Sequence, residues 1–188
     1  MDAFSYLSGM TSIVLALGVT RLFVGLGTLV ERHKKIRPYW VHLLWVLNLF
    51  IFIVMQWWIL FRWHYYQDWN FFIFLFLLLS PAMAFFLSVM LFPSNIDETS
   101  FKDHYYRNRI WFFSVAALLP PLDAADTLLK GWTHFQAQGI IYPVFLSIMF
   151  VLCIVGAVTK NENYHKFFSI FFLAYLLTFI FINLNVLM

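Results

Sequence analysis

The sequence predicts an all-α integral membrane protein, six transmembrane helices in a compact bundle joined by short loops. Three observations lead there. Hydrophobic residues make up 63% of the chain and charged residues only 11%, with a mean hydropathy of +0.80, whereas globular domains carry about 25% charged residues. The 188 residues divide into six apolar stretches, approximately 4–30, 38–62, 69–92, 109–129, 138–159 and 165–187, each close to or above the roughly 20 residues that a helix needs to cross a bilayer. Runs such as FFIFLFLLL and FFSIFFLAYLLTFIFI are apolar on every side, where the strands of a membrane β-barrel would alternate. A backbone in hydrocarbon must satisfy its own N–H and C=O groups, which leaves helices. The chain therefore reads as a single transmembrane domain over residues 1–188, with no soluble domain.

The first stretch lacks a basic start, carries Asp2 and exceeds the apolar core of a signal peptide, so it is expected to be retained. Helices in lipid associate through close packing and hydrogen bonds, so small and polar residues mark their contact faces. In the first helix Gly18, Arg21, Gly25 and Thr28 form such a stripe, continued by Ser8 and Thr11. In the second, His42, Trp45, Asn48, Phe52 and Gln56 share one face at the helical period. The third offers Ser80, Ala84 and Ser88 at four-residue spacing, with Pro81 able to loosen a turn. The fourth reads SVAALLPPLDAAD, two prolines followed by Asp123 and Asp126. The fifth contains Cys153, the sole cysteine, which excludes an intrachain disulfide and any Cys-based metal spacing. The sixth carries Thr178, Asn183 and Asn185.

Lys and Arg set the expected orientation. Nine of the twelve lie in or beside the first, third and fifth connections: Arg32, Lys34, Lys35, Arg37, Lys102, Arg107, Arg109, Lys160 and Lys166. Arg62 and Lys130 lie in the second and fourth, and Arg21 sits within a helix. The basic loops 31–37, 93–109 and 160–166 are thus expected in the cytoplasm, with both termini outside. The net charge of +3 is then a signature of topology and gives no reason to expect a nucleic acid. The expected partners are the bilayer, anionic lipids at the basic face, and further copies of this chain or a larger membrane complex.

Arg21 is the costliest residue to place. It lies about 16 Å along its helix from Arg32, and Asp123 about 21 Å from Arg109, at a rise of about 1.5 Å per residue. A pair between them is within reach of an arginine side chain. Three readings stay open: Arg21 snorkels toward the basic end, it braces Asp123 structurally, or the ionisable groups serve a function, as intramembrane charges do by default. The prolines either open a helical turn onto a hydrated cavity or end the helix and leave both aspartates in a loop.

The leading expectation is an oligomeric channel or transporter for a small ion or solute, its path lined by the first, second and fourth helices. Arg21 would tune its charge, Asp123 would pair with Arg21, Asp126 would meet a cation or proton, and Asn48, Gln56 and His42 would add polar contacts. Gly18, Gly25, Ser80, Ala84 and Ser88 are read as helix-packing positions. A second expectation is a non-conducting subunit that presents loop 93–109 to a cytoplasmic partner. The third is a lipid-modifying or redox enzyme using interfacial His and Asp residues. His42 with His104 or His165 is the only loose pair for a haem. HExxH, GxSxG and phosphate-loop motifs are absent from the sequence, so no catalytic residue, metal ligand or cofactor is assigned.

Overall fold

A computed structural model describes residues 3–66, 68–93 and 100–183. These residues form eight α-helices: α1 (Ala3–Glu31), α2 (Trp40–Leu60), α3 (Phe71–Leu91), α4 (Phe101–Ala117), α5 (Leu119–Leu129), α6 (Trp132–Ala137), α7 (Ile141–Val158) and α8 (Glu162–Asn183), with a 3-10 turn at Phe61–Trp63 after α2. Six helical spans are long and apolar enough to cross a membrane: Phe4–Glu31, Trp40–Trp63, Phe71–Leu91, Phe101–Leu129, Ile141–Val158 and Glu162–Ile182. Large apolar side chains face outward along them, among them Phe72 at 78%, Ile141 at 78% and Phe181 at 74% exposure. Contiguous exposure of that kind marks a surface meant for an apolar neighbour.

Helix starts differ from expectation where a side-chain cap, invisible to hydropathy, sets the boundary. The fourth span begins at Phe101 instead of near 109, because the Ser100 hydroxyl accepts from the Asp103 amide at 3.4 Å. The polar run KDHYYRNR is therefore helical. The sixth begins at Glu162, with Asn161 accepting from the Asn163 amide at 2.9 Å. Asn70 caps α3 in the same way, accepting from Ile73 at 3.0 Å. Each cap satisfies an N–H that the helix itself leaves free.

The two prolines neither end the span nor leave a loop behind them. The helix breaks at Leu118 and restarts as α5, with Pro120 and Pro121 in the first turn, where a missing N–H costs no helical bond. Asp123 and Asp126 consequently lie on a helix. Gly131 (φ 117°) and Gly139 (φ 70°) bracket the short α6 and allow the chain to turn back into α7.

Packing follows the small-residue stripes. α1 lies along α3, α4 along α7, and α2 against α8 and α3. Gly25 is covered by the face of the Phe92 ring so closely that a Cβ there would stand 2.5 Å from its carbons. At Gly18 a Cβ would meet Ile53 Cδ1 at 3.1 Å and the backbone of Phe85 at 3.7 Å. Ala84 and Ser88 on α3 are fully buried, whereas Ser80 is partly accessible. Gly156 on α7 takes the Phe113 ring of α4 in the same manner as Gly25 takes Phe92, with a Cβ distance of 3.2 Å.

Candidate functional site: a cavity remote from the basic connections

Trp45 of α2 stands at the centre of the packed residues, with the rings of Phe112, Phe113, Phe168 and Phe172 at centroid distances of 5.2–5.5 Å. Three of the four meet it edge to face, the arrangement that the ring quadrupole favours. This cluster divides the molecule into two halves of different character.

Toward the basic connections, polar side chains are used to close helix ends. The last three carbonyls of α3 and its C-cap each meet a donor from a different helix: His104 Nε2 donates to Met90 O (3.0 Å), His42 Nε2 to Leu91 O (2.6 Å) and Arg21 Nη2 to Phe92 O (3.5 Å). The Arg21 guanidinium also stands over the Phe92 ring, 5.9 Å from its centroid. At the end of α7, Arg109 Nε and His165 Nε2 donate to Thr159 O at 3.2 and 3.0 Å. His165 Nδ1 in turn meets the Tyr105 hydroxyl at 2.9 Å. Terminal carbonyls have no partner within their own helix and carry the negative end of its dipole, so Arg and His donors suit them. Asn48 bridges α2 to α8, donating from Nδ2 to Ser169 O at 2.9 Å. At the edge of this half, burial and the neighbouring Tyr106 hydroxyl push the Tyr39 phenol above its ordinary value.

On the other side of Trp45 lies a cavity of about 200 Å³, lined by all six spans. Its walls are mainly apolar and aromatic, including Leu49, Phe76, Leu77, Phe172 and Tyr175. The polar exceptions are Thr11, Gln56, Ser80, Asp123, Asp126 and Tyr142. The Gln56 amide bonds the Ser80 hydroxyl, and Gln56 Oε1 is left buried without a hydrogen-bond partner among the described residues. Leu119 and Pro120, at the start of α5, form part of the wall, so the cavity lies against the break in the fourth span.

The two aspartates have different partners. Asp126 Oδ2 pairs with Lys130 Nζ at 2.5 Å, while its Oδ1 accepts from the Trp63 indole at 3.0 Å. Lys130 also lies over the Trp63 ring at 4.9 Å. Asp123 Oδ2 accepts from the Tyr142 hydroxyl at 2.8 Å, and that hydroxyl is shared with Thr127 at 2.8 Å. Asp123 is exposed, which leaves the cavity open at this end. Nearby on α6, partial burial and the positive charges of Lys130 and Arg62 hold the His134 imidazole below its ordinary value.

The expected Arg21–Asp123 pair does not form. The depth arithmetic placed the two groups within reach, but Arg21 reaches the Phe92 carbonyl on the basic side of Trp45 and Asp123 lies on the other side. Of the six expected path residues, the fold brings Asp123, Asp126 and Gln56 to the cavity, whereas Arg21, His42 and Asn48 lie apart from it. Of the loose histidine pairs, His42 and His104 use Nε2 on neighbouring carbonyls of α3 and His165 uses Nε2 on Thr159 O. Part of loop 93–109, namely 94–99, lies outside the described residues, as does Asn185. Among the described residues no cluster of three or more His, Cys, Asp or Glu could hold a metal ion. Sequence reasoning missed Lys130, Trp63 and Tyr142. Lys130 is spaced four residues from Asp126 and could have been found had the segment after the prolines been read as helix. Tyr142 carries no local signal, because only the turn at α6 brings it to Asp123.

No family model matches the chain, and no curated protein or solved structure matches it either.

Proposed function

We propose that this chain is an integral membrane protein, its basic connections on the cytoplasmic side, that binds a small and mainly apolar solute from the opposite side and carries it across. The observation that carries this reading is the one-ended cavity. It is accessible at Asp123 and stops at the Trp45 cluster. Channels for ions conduct along a continuous pathway, and the packed rings around Trp45 stand across this one. Transporters instead place a site near the middle of the bilayer beside an interrupted helix, and the α4–α5 break adjoins this cavity. The outward-facing apolar side chains of the six spans support embedding in lipid.

The test is uptake of candidate solutes into liposomes, together with the thermal stability of the purified protein in their presence. A solute at a hundred times its Kd stabilises the protein that binds it by about 2.7 kcal/mol. Leu77→Trp, which fills the cavity from α3, is expected to abolish uptake and solute stabilisation while the protein stays folded. Steady ion flux without saturation by any solute, unchanged by Leu77→Trp, would overturn the transporter reading in favour of a channel.

A further inference from the structure

The two aspartates of the cavity differ in that one has an ion pair and the other has none among the described residues. Asp126 is matched by Lys130 at 2.5 Å, and Lys130 is held in place over the Trp63 ring. Asp123 has the Tyr142 hydroxyl on its carboxylate but no cation within ion-pair distance among the described residues. The positive charges of Lys130 and of Arg62, on the turn after α2, act on Asp123 without forming an ion pair with it. A hydroxyl that also serves Thr127 and the Asp123 carbonyl at 3.1 Å leaves most of the acceptor capacity of a carboxylate unused. Around it the cavity wall is aromatic: Trp63, Phe76, Phe172 and Tyr175. A carboxylate at the open end of such a wall gains from a positive partner that enters the cavity and makes a charge-assisted contact with it.

Given the solute-cavity reading, on which this inference rests, we propose that the occupant is a small organic cation, an aryl- or alkylammonium whose head pairs with Asp123. Its apolar body lies against the aromatic wall. The ammonium completes the charge that Lys130 leaves open and gains from the ring faces, which attract cations. Anions meet a carboxylate that has no ion-pair partner of its own and are disfavoured. Size sets a second limit: an apolar cavity of about 150 Å³ holds a benzene ring, so about 200 Å³ holds one ring with a short tail and is too small for a lipid.

The experiment is calorimetric titration of the full chain in detergent with three near-isosteres: 2-phenylethylammonium, 2-phenylethanol and 3-phenylpropanoate. On the unaltered protein the ammonium is expected to bind roughly tenfold more tightly than the alcohol, as a charge-assisted contact adds over a neutral one, and the carboxylate more weakly than either. In Asp123→Asn the advantage of the ammonium over the alcohol disappears while the alcohol binds as before, which shows the cavity intact. Tyr142→Phe keeps the advantage, because the carboxylate that carries it remains. Equal binding of ammonium and alcohol to the unaltered protein would overturn the cation assignment and leave the solute cavity standing. If none of the three binds, the cavity reading fails and the cation assignment falls with it. The comparison on the unaltered chain decides between these outcomes even if a variant does not fold.

Discussion

The two sides of Trp45 handle polar groups in opposite ways. On the basic side Arg21, His42, His104, Arg109 and His165 each reach a carbonyl at a helix end, although His42 Nδ1 and Asn48 Oδ1 stay buried without a partner among the described residues. On the cavity side Asp123 and Gln56 keep unused acceptors beside open volume. Ionisable residues within an apolar chain are therefore not equivalent as functional candidates. Those that complete the backbone of a neighbouring helix are structural, and those facing a cavity with unmatched valence are available to a ligand.

Four substitutions and one control break or sharpen that contrast. The largest effect is expected at the boundary itself: Trp45→Ala removes the centre of the aromatic cluster and should cost about 3–5 kcal/mol, read as a lower unfolding midpoint of the detergent-solubilised protein. Next comes Gly25→Ala on the basic side, which drives a methyl into the buried Phe92 ring and should cost about 2 kcal/mol as an overpacked contact. The same measurement on Gly27→Ala, where a Cβ meets nothing within 4 Å, should show no comparable loss. His42→Leu leaves the Leu91 carbonyl buried without its donor and should cost about 1–2 kcal/mol, with no change in solute binding. The smallest stability effect is expected across the boundary at Asp123→Asn, within about 0.5 kcal/mol. If His42→Leu proves as harmless as Asp123→Asn, the two halves do not differ in the way described.

Legibility followed the same division. The stripe of Gly18 and Gly25 was readable because only a residue without a side chain lets another helix approach so closely, and Ile53, Phe85 and Phe92 take up that space. The helix start at Phe101 was not readable from apolarity, because a single Ser100 hydroxyl outweighs a polar run by capping it. Arg21 was legible as an anomaly but its partner was not. Depth along a helix fixes one coordinate of a side chain and leaves its direction open, and the carbonyl of Phe92 lay on the face that depth arithmetic could not choose.

By itself the sequence determined the helical class, the six apolar spans and the small-residue faces, since each depends on the composition or period of one segment. Tertiary structure decided which polar groups are matched. Lys130 meets Asp126 because α5 is helical after the prolines, Tyr142 meets Asp123 because α6 returns the chain, and His42 meets Leu91 because α2 crosses the end of α3. A hydrogen bond requires two groups within about 3 Å of each other, and residues remote in sequence reach that distance only when packing brings their helices together.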